Sequence, residues 1–173
     1  FAYWASMAVT DMPLEGFDYP ADVRIVAIGS DTGFAVDDIG VELSNSGFIQ
    51  IQAKSGMRRL EGRQSDLRHA TDQLVDAWHC GIGRNGARPL QAELDRLVLA
   101  VDIKSSSTFG DLGKALDRLR HLPRELPLWD AAVTKPELAG LQAFVSALHW
   151  SWEHRVGRSP SEQDLRSLLR LTA

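Results

Sequence analysis

From residue 38 to residue 54 apolar and polar positions alternate around a polar interruption. Ile39, Val41, Leu43, Ile49 and Ile51 share one parity, while Asp38, Gly40, Glu42, Gln50, Gln52 and Lys54 share the other. A period of two is the mark of strands with one buried face. Residues 44–47 (Ser-Asn-Ser-Gly) supply the turn, so the segment reads as a β-hairpin. Pairing Leu43 with Ile49, Val41 with Ile51 and Ile39 with Ala53 keeps one face wholly apolar. That register leaves Asn45-Ser46-Gly47 as a three-residue loop, with Gly47 at the left-handed position of a G1 bulge. It also sets Asp38 opposite Lys54, Gly40 opposite Gln52 and Glu42 opposite Gln50.

The rest of the pattern places this hairpin within a larger order. Residues 1–12 carry apolar positions at helical spacing and stop at Pro13. Residues 23–28 are a β-branched strand, and Asp31-Thr32-Gly33 is its turn. Leu67, Ala70, Leu74, Val75 and Trp78 repeat at helical spacing over residues 65–78, with Gly81 as the stop. Residues 97–101 (Leu-Val-Leu-Ala-Val) are too short for a helix and have the apolar continuity of a buried strand. The order is αβββαβ, an α/β core with a mixed sheet over residues 1–105. The remainder, 106–173, reads as a helical extension packed on that core as one compact unit. Phe109, Leu112, Leu116 and Leu119 mark its first helix. Thr134-Lys135-Pro136-Glu137 is a capping box opening the second. Ser159-Pro160-Ser161-Glu162 repeats the device for the third, with Pro160 at the first helical position.

Composition narrows the class. The chain has 173 residues, 44% hydrophobic and 24% charged, as soluble globular proteins do. No apolar run approaches the ~20 residues that span a bilayer. The start at Phe1-Ala2-Tyr3-Trp4, without Met, reads as an excised piece of a longer polypeptide or as a processed one. The single Cys80 excludes an internal disulfide and fits a reducing cytoplasm. A net charge of −4 argues against indiscriminate coating of nucleic acid. It leaves room for a local basic patch, and Arg58, Arg59, Arg63 and Arg68 follow the hairpin closely enough to form one that contacts DNA.

The chemistry concentrates on the polar face of the hairpin. Opposed Cβ atoms lie about 5 Å apart, so Asp38, Gln52 and Lys54 can reach one cluster. Phosphodiester hydrolysis needs a hard cation on oxygen ligands, an activated water and relief of developing negative charge. Asp38 supplies a carboxylate, Gln52 an amide oxygen and Lys54 an ammonium. A solvated strand face with an Asp-Lys pair worth under about 1 kcal/mol is the plain alternative. Asp37 points the other way by parity and is a secondary candidate. The five histidines form no H-x-x-x-H arrangement, and the glycine-rich residues 81–86 lack G-K-[ST].

Asp37-Asp38-Ile39 followed by Ile51-Gln52-Ala53-Lys54-Ser55, inside αβββαβ, resembles the PD-(D/E)XK nuclease superfamily. The Gln variant looks most like Mrr-type restriction endonucleases and the effector nuclease domains of bacterial antiphage defence proteins. The motif covers about 20 residues and the element order about 105. The resemblance implies a restriction-endonuclease-like core in which Asp38 and Gln52 are metal ligands, with the Ala53 backbone oxygen a possible third. It makes Lys54 the catalytic lysine and Mg²⁺ or Mn²⁺ the cofactor. It further implies a cytoplasmic endonuclease acting on double-stranded DNA, attached to a sensor or NTPase region and homo-oligomeric when active. The alternative is an inactive module of the same fold that binds DNA or assembles.

Overall fold

The computed structural model describes residues 14, 17–30, 35–36, 38–57, 66–82, 88–102 and 104–172. The expected first helix and the Asp31-Thr32-Gly33 turn lie outside them. Strands β1 (Ile25–Gly29), β2 (Ile39–Leu43) and β3 (Phe48–Lys54) form an antiparallel meander. Helix α1 (Asp66–Cys80) then crosses over, and β4 (Arg96–Val101) pairs parallel to β3. The sheet is mixed and four-stranded, in the order β1-β2-β3-β4. Helices α2 (Ser107–His121), α3 (Lys135–Val156) and α4 (Glu162–Leu171) follow, with a 3₁₀ turn at Leu128–Ala131. Among the described residues no helix is long and apolar enough to cross a membrane.

The hairpin forms in a register two residues away from the expected one. Ile39 pairs with Ile51, Gly40 with Gln50, Val41 with Ile49 and Glu42 with Phe48. A shift of two preserves both faces, so side-chain alternation does not distinguish the alternatives. The turn does. Gly47 packs under the loop before β4, where an added Cβ would lie 2.1 Å from the Leu94 carbonyl oxygen. Gly47 therefore sits in the ladder, where Leu43 N–H donates to its carbonyl at 2.9 Å. The left-handed position falls instead on Ser46, with φ 65°. Asn45 Oδ1 accepts from Gly47 N–H at 3.0 Å and steadies the turn.

A buried carboxylate locks this corner. Asp95 Oδ1 accepts from Phe48 N–H at 3.1 Å, and Asp95 Oδ2 accepts from Gln91 N–H at 2.8 Å. Both oxygens also face Arg88, at 2.6 and 2.7 Å, and Arg88 reaches on to the Ser46 carbonyl at 3.0 Å. A buried charge this fully bonded avoids the desolvation penalty of an unpaired one.

Apolar side chains cover both faces of the sheet. Val41, Leu43, Ile49 and Ile51 pack with Leu14 and Val23 on one side. On the other, Leu97 joins Leu67, Leu74, Phe109, Phe144 and Leu168 in a core shared with all four helices. The helix ends follow local chemistry. Helix α1 stops at Gly81, φ +81°, where a Cβ would also meet the Arg88 carbonyl at 2.4 Å. Thr134 and Glu137 form the expected capping box on α3. On α4 the cap is Ser161 with Asp164, two residues beyond the expected Ser159, and Pro160 is buried before the helix rather than opening it.

Candidate active site

Asp38 stands immediately before β2, and the observed ladder extended by one step puts it opposite Gln52 rather than Lys54. Its Oδ2 accepts from the Gln52 side-chain amide and, at 2.7 Å, from the Ala53 backbone N–H. The carboxylate is thus bound to two consecutive residues of β3. Lys54 follows two positions after Gln52 on the same face, half-buried and beside Val101 of β4.

The polar face is not the open strand surface that alternation suggests. Gln50 and Gln52 are only 1% and 2% exposed. They share their face with Leu97 and Leu99 of β4, under the helical layer. Gly40 stands opposite Gln50 in the ladder. The expected Glu42–Gln50 pair does not form, since Glu42 is exposed and opposite Phe48. Gln52 Oε1 is buried and has no hydrogen-bond partner. That orphaned oxygen, beside an exposed carboxylate, is the donor set available to a hard cation.

The parallel strands β3 and β4 end together at this point, and such ends are where open α/β sheets commonly place ligands. Asp102, just after β4, holds the chain that leaves Lys54. Its Oδ1 accepts from Gly56 N–H at 2.9 Å and from the Ser105 hydroxyl at 3.0 Å. Ser105 Oγ accepts from Met57 N–H at 3.1 Å, and the Met57 carbonyl accepts from Ser106 N–H at 2.8 Å. The bond from Gly56 foremost, with those from Ser105 and the Lys104 N–H, holds the Asp102 carboxyl below its ordinary pKa. Asp102 was missed at the sequence level. The signal was an acid at a strand end followed by three serines, a combination that favours local backbone capture.

The site fits a divalent cation as a sparse set. Asp38 supplies charge, and Gln52 supplies its free oxygen once the amide turns about its last torsion. Among the described residues no group of three or more His, Cys, Asp or Glu gathers to add to it. Of the expected DNA contacts, Arg68 lies 4.1 Å over the Trp150 ring on the helical side. Arg58, Arg59 and Arg63 lie outside the described residues, as does Asp37. No protein-family model matches the chain, no curated protein matches it, and no solved structure matches it.

Proposed function

We propose that this chain is a metal-dependent endonuclease domain hydrolysing phosphodiester bonds of double-stranded DNA in the cytoplasm. The observation that carries the reading is the bond from Gln52 and Ala53 to Asp38, with Lys54 next on the same face. The strand-strand-strand-helix-strand order supports it, because that order brings the carboxylate and the lysine to one end of the parallel pair. The wider assignment, effector of an antiphage system joined to a sensor and active as a homo-oligomer, rests on the resemblance alone.

Asp38 and Gln52 Oε1 would hold Mg²⁺ or Mn²⁺, with the Ala53 carbonyl as the third candidate donor. Such an ion, when bound, supplies Lewis-acid polarisation of a phosphoryl oxygen and a more acidic water. The chain's own residues do the rest. Lys54 carries three N–H donors on a flexible stem; it meets a phosphate oxygen or orients the attacking water. The Ala53 N–H fixes the carboxylate's rotamer. Asp102 fixes the backbone beyond Lys54, so the ammonium is presented from a tied strand end.

The test is nicking of supercoiled plasmid with and without magnesium, for the chain and for Lys54→Ala and Asp38→Ala. Loss of at least ~100-fold in rate is expected for each variant, the scale of a removed acid-base or charge-stabilising group. Cleavage that ignores chelator and persists in both variants would sink the proposal. A second reading, an inactive module of the same fold, draws on the near-complete burial of Gln50 and Gln52. It predicts no nicking at any metal concentration and an intact fold in both variants.

A further inference from the structure

At the other end of β4 from Lys54, a groove of about 1010 Å³ lies between α3, α4 and the loop after α2. Ala92, just ahead of β4, is on its rim. Its walls carry Arg124, Arg166, Arg170 and His149, with Trp129 and Leu126 beside them. Among the described residues lining the groove, no acid is buried. Glu125 and Glu162 also line the groove, but Glu162 is 77% exposed and reaches Arg166 only at 3.6 Å. Arg166 is 11% exposed at its side chain.

Two of these arginines already have a structural task, which fixes their direction. Arg166 donates to the Arg124 and Leu126 carbonyls at 3.0 and 2.5 Å, and Arg170 donates to the Leu122 carbonyl. Carbonyls satisfy N–H groups without neutralising charge. Arg170 Nε remains buried with no partner. Burial first, and then the nearby Arg124 and Arg166, hold the Arg170 pKa below its ordinary value. Three arginines thus line one groove, and an anion there would meet several like charges at once.

The neighbouring surface is aromatic and apolar. Trp129 and Leu126 are 41% and 42% exposed, large apolar side chains left open beside the cationic wall. A flat ring can stack on Trp129 while a phosphate meets the arginines. The volume is at the upper end of the ~300–1,000 Å³ typical of small-molecule sites. We propose that this groove binds a nucleotide, its phosphate on Arg124 and Arg170 and its base against Trp129. The proposal is independent of the endonuclease reading, because it uses a different end of the sheet.

Calorimetric titration of the full chain with adenosine monophosphate, adenosine and inorganic phosphate tests it. The monophosphate should bind about tenfold or more tighter than either part alone. Arg124→Glu and Trp129→Ala alter exposed side chains and should keep the wild-type circular dichroism. Each should weaken the monophosphate about tenfold. Equal binding of phosphate and monophosphate, no binding of the monophosphate, or affinity unchanged in both variants would overturn the proposal. So would displacement of the monophosphate by a short DNA duplex whose own binding is lost in Arg124→Glu, which would assign the groove to a nucleic-acid strand.

Discussion

The relation between Asp38 and Gln52 sets what the site can do. The amide donates to the carboxylate, so a neutral residue is compatible with burial at 2% exposure. A glutamate there would put two carboxylates in contact. One of them would lose its hydrogen bond within a largely dry sheet face, a situation costing several kcal/mol unless a proton or a cation intervenes. Gln52→Glu is therefore expected to melt earlier than the parent by several degrees in chelator, and to regain most of the loss in magnesium. The parent should shift far less, because its donor set is sparse. Thermal denaturation of both proteins with and without magnesium measures this directly. A variant as stable as the parent in chelator would show that the two side chains separate freely, and a loss that magnesium leaves untouched would remove Gln52 from the metal site.

Elements were legible from the sequence where their determinants are local. The Thr134–Glu137 box lies within one turn, and its residues bond as the pattern requires. The period-two pattern correctly divided β2 and β3 into two faces. It could not choose between registers two residues apart, because the deciding contact joins Gly47 to Leu94, far along the chain. Nor could it tell that the polar face is covered, since the cover comes from helices outside the hairpin, from α1 onward. Ser159 with Pro160 fitted a helix start equally well two residues earlier, but it is Ser161 whose side chain caps, paired with Asp164. The α3 cap also carries a prediction. Glu137 Oε2 accepts from Val133 and Thr134 N–H at 2.8 and 3.0 Å and lies 2.5 Å from Arg118. Arg118 foremost, and then those two N–H groups, bring the Glu137 pKa from 4.5 down to about 2. A depressed folded-state pKa contributes stability that is complete above the unfolded value and is lost as pH falls toward the folded one. The stability difference between the parent and Glu137→Gln should be widest above pH 4.5 and close as pH approaches 2. Denaturant titrations across that range check it; a difference that grows on acidification would contradict the assigned ionisation.

At the scale of the whole molecule, the division into residues 1–105 and 106–173 describes sequence order rather than separate cores. Val36, Met57, Leu67 and Leu97 from the first part pack in one cluster with Phe109, Phe144, Trp152 and Leu168 from the second. Thr71 on α1 and Ser151 on α3 share a buried hydrogen bond at 2.8 Å. Thr172, after α4, forms a parallel bridge with Leu97, so the last helix returns the chain to the edge of the sheet. A sheet face holding Gln50 and Gln52 cannot stay dry without that helical cover, and exposing it would uncover Leu97 and Leu99 as well. The parts should therefore unfold together. Of the five tryptophans, Trp78, Trp129, Trp150 and Trp152 lie on helices or on the turn between them, so their fluorescence reports chiefly on the helical layer, while the far-ultraviolet signal reports on helices and sheet alike. Coincident denaturation curves from the two probes are the mark of one cooperative unit. Phe144→Ala removes a fully buried ring from the shared core. It should lower stability by about 3–5 kcal/mol and move both curves by the same amount. If the two curves separate, the far-ultraviolet one splitting into two steps, the helices are a separable layer. The site at Asp38 and Lys54 would then owe its geometry to the sheet alone.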